Sequence, residues 1–217
     1  MSTPLVVLSP TQVVGIFAIF VACVVGLAMW SARKTRESLV RLAAELGFQF
    51  CEGPAVLGIF RSAPTVEGNI GRRAVKFYQY SVGSGKRRRT FSAMSVSCTN
   101  PHGLTVRLCA QNLLTEIAEK FGLQDLQVGE PVFDKKFVVQ TNDPAYLRAA
   151  LLPEMREALM AKWPRELPAA TLKIEGNSIV FSDAGSFSEQ RLITAMKTLL
   201  GELPTLAALP EVYAPGR

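Results

Sequence analysis

A single histidine, His102, limits the chemistry open to this chain of 217 residues. Imidazole is the side chain that most readily moves protons near neutral pH, and it is also the commonest metal ligand. One copy excludes a multi-histidine metal site, and any Ser-His-Asp or Cys-His arrangement has to use it. Its setting is Asn100-Pro101-His102-Gly103, a turn by composition, and no G-x-S-x-G elbow marks a nucleophile. A surface-turn role is therefore expected. Gly83-Ser84-Gly85-Lys86 looks like a phosphate loop, but a Walker A motif needs Gly where Tyr80 stands and Ser or Thr where Arg87 stands. Asp134, Asp143 and Asp183 are candidates for a carboxylate set. Asp143-Pro144 reads instead as a helix N-cap followed by proline at the first helical position, and Asp183 falls at a turn, so structural roles are expected. Cys51, Cys98 and Cys109 show no metal or redox spacing. No catalytic, cofactor-binding or metal-binding residue is assigned, and no cofactor is expected.

The remaining chemistry is charge. Lys86, Arg87, Arg88 and Arg89 are four consecutive cations after a Gly-Ser-Gly tip, and the whole chain carries a formal net charge of +6 with a pI near 9.3. Such a cluster suits an anionic membrane surface; the competing reading is a solvated hairpin loop. Both stay open on sequence. Nucleic acid is not expected as a partner.

The element that must position these cations is an apolar run, Val13 to Trp30, without charge or proline. With Thr11 and Gln12 it spans roughly the 30 Å of a hydrocarbon core. No charged residue precedes Arg33, whereas Arg33, Lys34, Arg36 and Arg41 follow the run closely. The positive-inside bias then predicts a short N-terminus outside and the rest in the cytoplasm of a bacterial inner membrane, with Trp30 at the interface. Gly26-Leu27-Ala28 would suit a signal peptidase, but the run lacks a basic n-region and exceeds a signal core of roughly 7 to 15 residues. Ala18, Ala22 and Gly26 recur every fourth residue on one helical face. That spacing admits homodimerisation through the transmembrane helix, and it is equally the ordinary composition of such helices.

Beyond the anchor, Leu39, Leu42, Ala43 and Leu46 share one face of an amphipathic helix ending at Gly47. Without an intervening Pro or Gly, this helix can continue from the membrane segment as a stalk. From Phe48 to Ala110 short alternating runs predict antiparallel hairpins, with Val75, Phe77 and Gln79 on one face and Lys76, Tyr78 and Tyr80 on the other. A helix is expected over Gln111–Gly122, a strand over Lys136–Thr141, and helices after Asp143 and Pro153. Leu172 to Phe181 reads as a hairpin around Gly176-Asn177. Ser186 and Glu189 are expected to form a capping box for the last helix. The Pro-rich tail from Pro204 is expected to be loosely ordered.

Phe133-Asp134, Phe137, Val139, Thr141, Asp143, Leu152 and Pro153 resemble the signature of a family of bacterial membrane-anchored domains of unknown function, with the pattern F-D-x-x-F-x-V-x-[ST]-x-D. The Gly71-Arg72 hairpin is also similar to the family pattern. The resemblance implies a fold and a membrane location and adds no chemistry.

The expected architecture is α+β: one N-terminal transmembrane helix and a cytoplasmic domain of antiparallel strands packed with about four helices. The boundaries are residues 1–10 outside, 11–30 in the membrane, 31–47 as the juxtamembrane helix, 48–203 as the soluble domain and 204–217 as the tail. Two function classes lead. One is a membrane-anchored interaction module binding membrane lipid or an unidentified protein partner; the other is an enzyme with an unfamiliar site acting on a lipid or a phosphorylated ligand.

Overall fold

The computed structural model describes residues 10–56, 60–110, 124–167 and 169–215. The expected N-terminal extension and the helix expected over Gln111–Gly122 lie, save for Pro10, outside the described residues.

Helix α1, Pro10–Leu46, is continuous over 37 residues, roughly 55 Å of helix. It joins membrane segment and stalk in one rod. The segment from Gly15 onward is long and apolar enough to cross a membrane. The last turns of α1 are core: Leu39, Leu42 and Ala43 are buried. The helix stops at Gly47, whose φ of +67° is open to glycine without strain.

Among the described residues eleven strands follow: β1 (Gln49–Cys51), β2 (Ala55–Val56), β3 (Phe60–Arg61), β4 (Thr65–Ile70), β5 (Arg73–Val82), β6 (Arg89–Ser97), β7 (Val106–Ala110), β8 (Gln124–Leu126), β9 (Phe137–Thr141), β10 (Thr171–Glu175) and β11 (Ser178–Ala184). Strands β2 and β3 form a small separate ribbon. The other nine make one sheet in the order β1-β4-β5-β6-β11-β10-β7-β9-β8, antiparallel at every pairing.

Register runs one apolar row across all nine strands: Phe50, Val66, Phe77, Met94, Phe181, Leu172, Leu108, Val139 and Leu126 are successive cross-strand partners. Directly paired residues lie on the same face of a sheet, so alternation within each strand becomes a continuous apolar band. All but Phe50 are buried, and each large member stabilises the fold by about 1.5 to 3 kcal/mol. Two residues further along β5, β6 and β11 the row turns polar, with Gln79, Ser92 and Asp183 in register.

The helices after the first hairpins are α2 (Pro131–Lys136), α3 (Pro144–Ala150), α4 (Pro153–Lys162), α5 (Gln190–Leu200), α6 (Leu203–Leu206) and α7 (Leu209–Val212). The α+β class is thus as expected. Asp143 caps α3 by accepting from the Tyr146 N–H at 2.9 Å, with Pro144 in the first turn. Asp134 holds a loop, its two oxygens accepting from the N–H groups of Val128 and Gly129 at 3.0 Å each.

Four expectations need correction. Asp183, expected at a turn, lies within β11 and is paired with Ser92. The strand expected from Lys136 begins at Phe137, because Pro131 starts a short helix that carries Phe133. Phe133 in that helix and Phe137 at its C-cap, whose N–H donates to the Phe133 carbonyl, bring their ring centroids to 4.9 Å. Only half of the capping box forms. The Ser186 N–H donates to Glu189 Oε1 at 3.2 Å, but α5 begins at Gln190 and the Ser186 hydroxyl is engaged elsewhere.

The tail from Pro204 is folded. Leu203, Leu206, Ala207, Leu209 and Tyr213 are buried in the core, which supplies the apolar burial that a loose tail lacks. Tyr213 donates its hydroxyl to Asp143 at 3.1 Å, and Tyr146 donates to the Leu209 carbonyl at 2.6 Å. Glu211 forms a bidentate pair with Arg73 on β5 at 2.5 and 2.8 Å, which holds the Glu211 carboxyl below its usual range.

Candidate membrane-proximal site

The site begins with the stripe of α1 that faces the sheet. Below Thr35 its members are the large Leu39 and Leu42; above it they are Ala32, Ser31 and Ala28. These positions repeat at helical spacing, so one face of a single helix changes from bulky to small as it approaches the membrane run. Thr35 is the junction. It is buried, and its hydroxyl lies 2.9 Å from that of Ser186. The Gln79 amide donates to Ser92 Oγ at 3.3 Å and to Ser186 Oγ at 3.2 Å.

These contacts tie β5 to α1 through Ser186. Val82, paired with Arg89 at the hairpin end, is three residues beyond Gln79, and Ala28 is seven residues before Thr35 on the helix. Arg88 of the hairpin end and Ala28 of the apolar run line one groove. The tip itself is held by Gly83, at φ +86°, where an added Cβ would meet the Arg87 carbonyl oxygen at 2.7 Å. A 3-10 turn, Gly85–Arg87, follows.

Lys86, Arg87, Arg88 and Arg89 are all exposed. Val82, which sequence reasoning did not single out, is a 53 % exposed aliphatic side chain beside them. On the helix, Trp30 is 63 % exposed with the Lys34 ammonium 5.4 Å from its ring centroid. This pairing suits the membrane–water boundary. Ala18, Ala22 and Gly26 lie on exposed helix surface, and a Cβ added at Gly26 meets nothing within 4 Å.

Between the small-residue face of α1 and the sheet runs a groove of about 950 Å³. Its lining joins Ala28, Ser31, Ala32 and Thr35 of α1 to Gln79, Arg88, Thr90 and Ser186, with Phe50 and Glu52 on the far side. Arg36 reaches across the mouth to Glu52 at 2.8 Å and packs over the Phe50 ring at 5.5 Å. Gly53 permits this far wall, since a Cβ there would sit 2.2 Å from the Ser62 carbonyl oxygen. The groove is thus lined by both the cation Arg88 and the membrane-run residue Ala28. It does not bring together Asp134, Asp143 and Asp183, which are absent from its lining.

Asp183 is the carboxylate with the strongest shift. Burial raises it to about 6, and it is only 2 % exposed, so it has no open approach for a substrate. His102 is exposed in its turn, 6.4 Å from Tyr213 by ring centroids. Cys98 and Cys109 are buried thiols outside any disulfide. Among the described residues no group of three His, Cys, Asp or Glu side chains is placed to hold a metal ion.

The groove residues Thr35, Gln79 and Ser186 were not legible as a site in the sequence. One signal was available, namely that Thr35 interrupts the apolar stripe of the amphipathic helix with a hydroxyl.

No protein-family model matches the sequence, and no curated protein matches it. Among solved structures, the chain is similar to the crystal structure of the mycobacterial trehalose monomycolate transport factor A, TtfA, with a TM-score of 0.58 at 14 % identity, covering 85 % of this chain and 99 % of that one. The two proteins share an α+β fold.

Proposed function

We propose that this protein is a single-pass membrane-anchored module of a bacterial inner membrane, with its C-terminal domain in the cytoplasm and its basic hairpin against the anionic leaflet. The observation that carries this reading is a shared lining: Arg88 and Ala28 border the same groove, which supports a position for the cluster Lys86–Arg89 near the end of the apolar run. Each cation close to the surface contributes about 1 kcal/mol, and the attraction fades beyond a Debye length of about 8 Å at physiological salt. The anchor keeps the hairpin at high effective concentration beside the lipid. The fold shared with a protein described as a trehalose monomycolate transport factor supports a role in binding at the membrane over one in catalysis. Homodimerisation through Ala18, Ala22 and Gly26 belongs to the same reading, since that face is open.

The test is amide hydrogen exchange on the full chain in nanodiscs of anionic or of neutral lipid. Exchange at residues 82–89 is expected to slow in anionic discs and to recover at high salt. Equal exchange in the two lipids rejects the surface contact.

A further inference from the structure

We propose that the groove between α1 and the β5–β6 hairpin holds the headgroup and glycerol region of one anionic phospholipid, drawn sideways from the bilayer in which the helix is anchored. This deepens the membrane-surface reading and rests on it.

The groove exists because of a change in side-chain size along a single stripe. Large residues at Leu39 and Leu42 close α1 onto the sheet; Ala32, Ser31 and Ala28 are too small to do so one and two turns earlier. The space left, about 950 Å³, is within the range of small-molecule sites, roughly 300 to 1,000 Å³. Its upper end is bounded by Ala28, a member of the apolar run, so the groove opens where hydrocarbon gives way to headgroups. A molecule entering there need not cross water.

The lining offers the groups that a phospholipid would require. Ala28 and Ala32 are apolar, and Ala28 belongs to the membrane run. Arg88 supplies a cation, and a guanidinium pairs well with phosphate. Thr90 and Thr35 present hydroxyls, bonded to Ser81 and Ser186 respectively, and a hydroxyl engaged in one hydrogen bond retains capacity for another; Ser186, which already meets Thr35, Gln79 and Ser188, only shapes the wall. Glu52, the acidic lining residue, is already paired with Arg36 across the mouth, which limits its repulsion of an anion. Phosphate, glycerol oxygens and the start of the acyl chains therefore each meet matching chemistry.

The experiment is native mass spectrometry of the full chain, taken from nanodiscs of mixed phosphatidylglycerol and phosphatidylcholine into mild detergent. Wild type is expected to retain one phosphatidylglycerol per chain. Ala32→Trp fills the groove from an exposed position on α1, and retention should fall about tenfold, as expected when a side chain takes the ligand's space. Ser31→Phe, at a second exposed lining position, should give the same loss should Ala32→Trp fold poorly. Arg88→Gln should lower retention about fivefold, the weight of one cation near the surface. Retention by both groove-filling variants at the wild-type level overturns the proposal, as does a bound peptide in place of lipid or equal retention of the two lipids. The same variants report on hydrogen exchange at residues 82–89. Lipid lost from Ala32→Trp with hairpin protection unchanged supports the groove separately from the surface contact. Lipid retained by wild type with no anionic protection of the hairpin removes the surface contact and leaves the groove.

Discussion

The hydroxyls of Thr35 and Ser186 lie 2.9 Å apart, joining the anchor helix to the turn after β11 at the point where the core ends and the groove begins. Thr35→Val keeps the volume and removes that bond. The loss is expected to be about 1 kcal/mol, the net worth of one hydrogen bond, because Ser186 keeps its bond from Gln79. Thermal unfolding of the full chain in detergent measures it, and an unchanged midpoint means that the contact does not hold α1 in place.

Phe137 is wedged between Phe133, 4.9 Å away by ring centroids, and Trp163, 5.1 Å away. Phe137→Ala leaves a cavity in a well-packed aromatic cluster and should cost about 3 to 5 kcal/mol. A midpoint within error of wild type in denaturant titration would contradict a core role.

The folded tail makes its own prediction. Tyr213→Phe removes the hydroxyl bond to Asp143 and should cost about 1 kcal/mol. Tyr213→Ala also removes the ring packed 4.7 Å from Tyr146, and should cost about 3 to 5 kcal/mol. Equal effects of the two substitutions would show that the ring is not part of the core.

Asp183 should make stability depend on pH. Burial raises its carboxyl to about 6 in the folded chain, against about 3.9 when unfolded. Well below pH 4 it is protonated in both states and carries no penalty. As pH rises toward 6 the unfolded chain ionises first, so stability falls, by about 3 kcal/mol in full, and stays lowered above 6. Asp183→Asn should remove this fall and be the more stable protein at pH 7. Unfolding midpoints from pH 4 to 7 for the two proteins test the sign; parallel profiles would refute it.

Arg33, Lys34, Arg36 and Arg41 predict which side of the membrane holds the domain. In intact spheroplasts the C-terminal domain should resist added protease and become cleavable only after lysis. Digestion before lysis would reverse the orientation.

The residues themselves determined whatever depends on neighbours in the chain. The uncharged run to Trp30 specifies a helix able to cross a membrane, the Leu39-Leu42-Ala43 stripe specifies its buried end, and alternation in Val75, Phe77 and Gln79 specifies which face of a strand is wet. Local periodicity reports a face but not what covers it. Tertiary structure alone decided that β6 pairs with β11 rather than β7, because that choice depends on pairings across more than eighty residues of chain. It placed Phe133 in a short helix that opens at Pro131, ahead of the strand. It also ordered the tail, whose leucines recur every third residue among the prolines Pro204 and Pro210 and are fixed by the core they fill. The groove was decided in the same way: small residues on α1 form a wall only because Thr35 and Ser186 align a hairpin, distant in sequence, along the same stretch of helix.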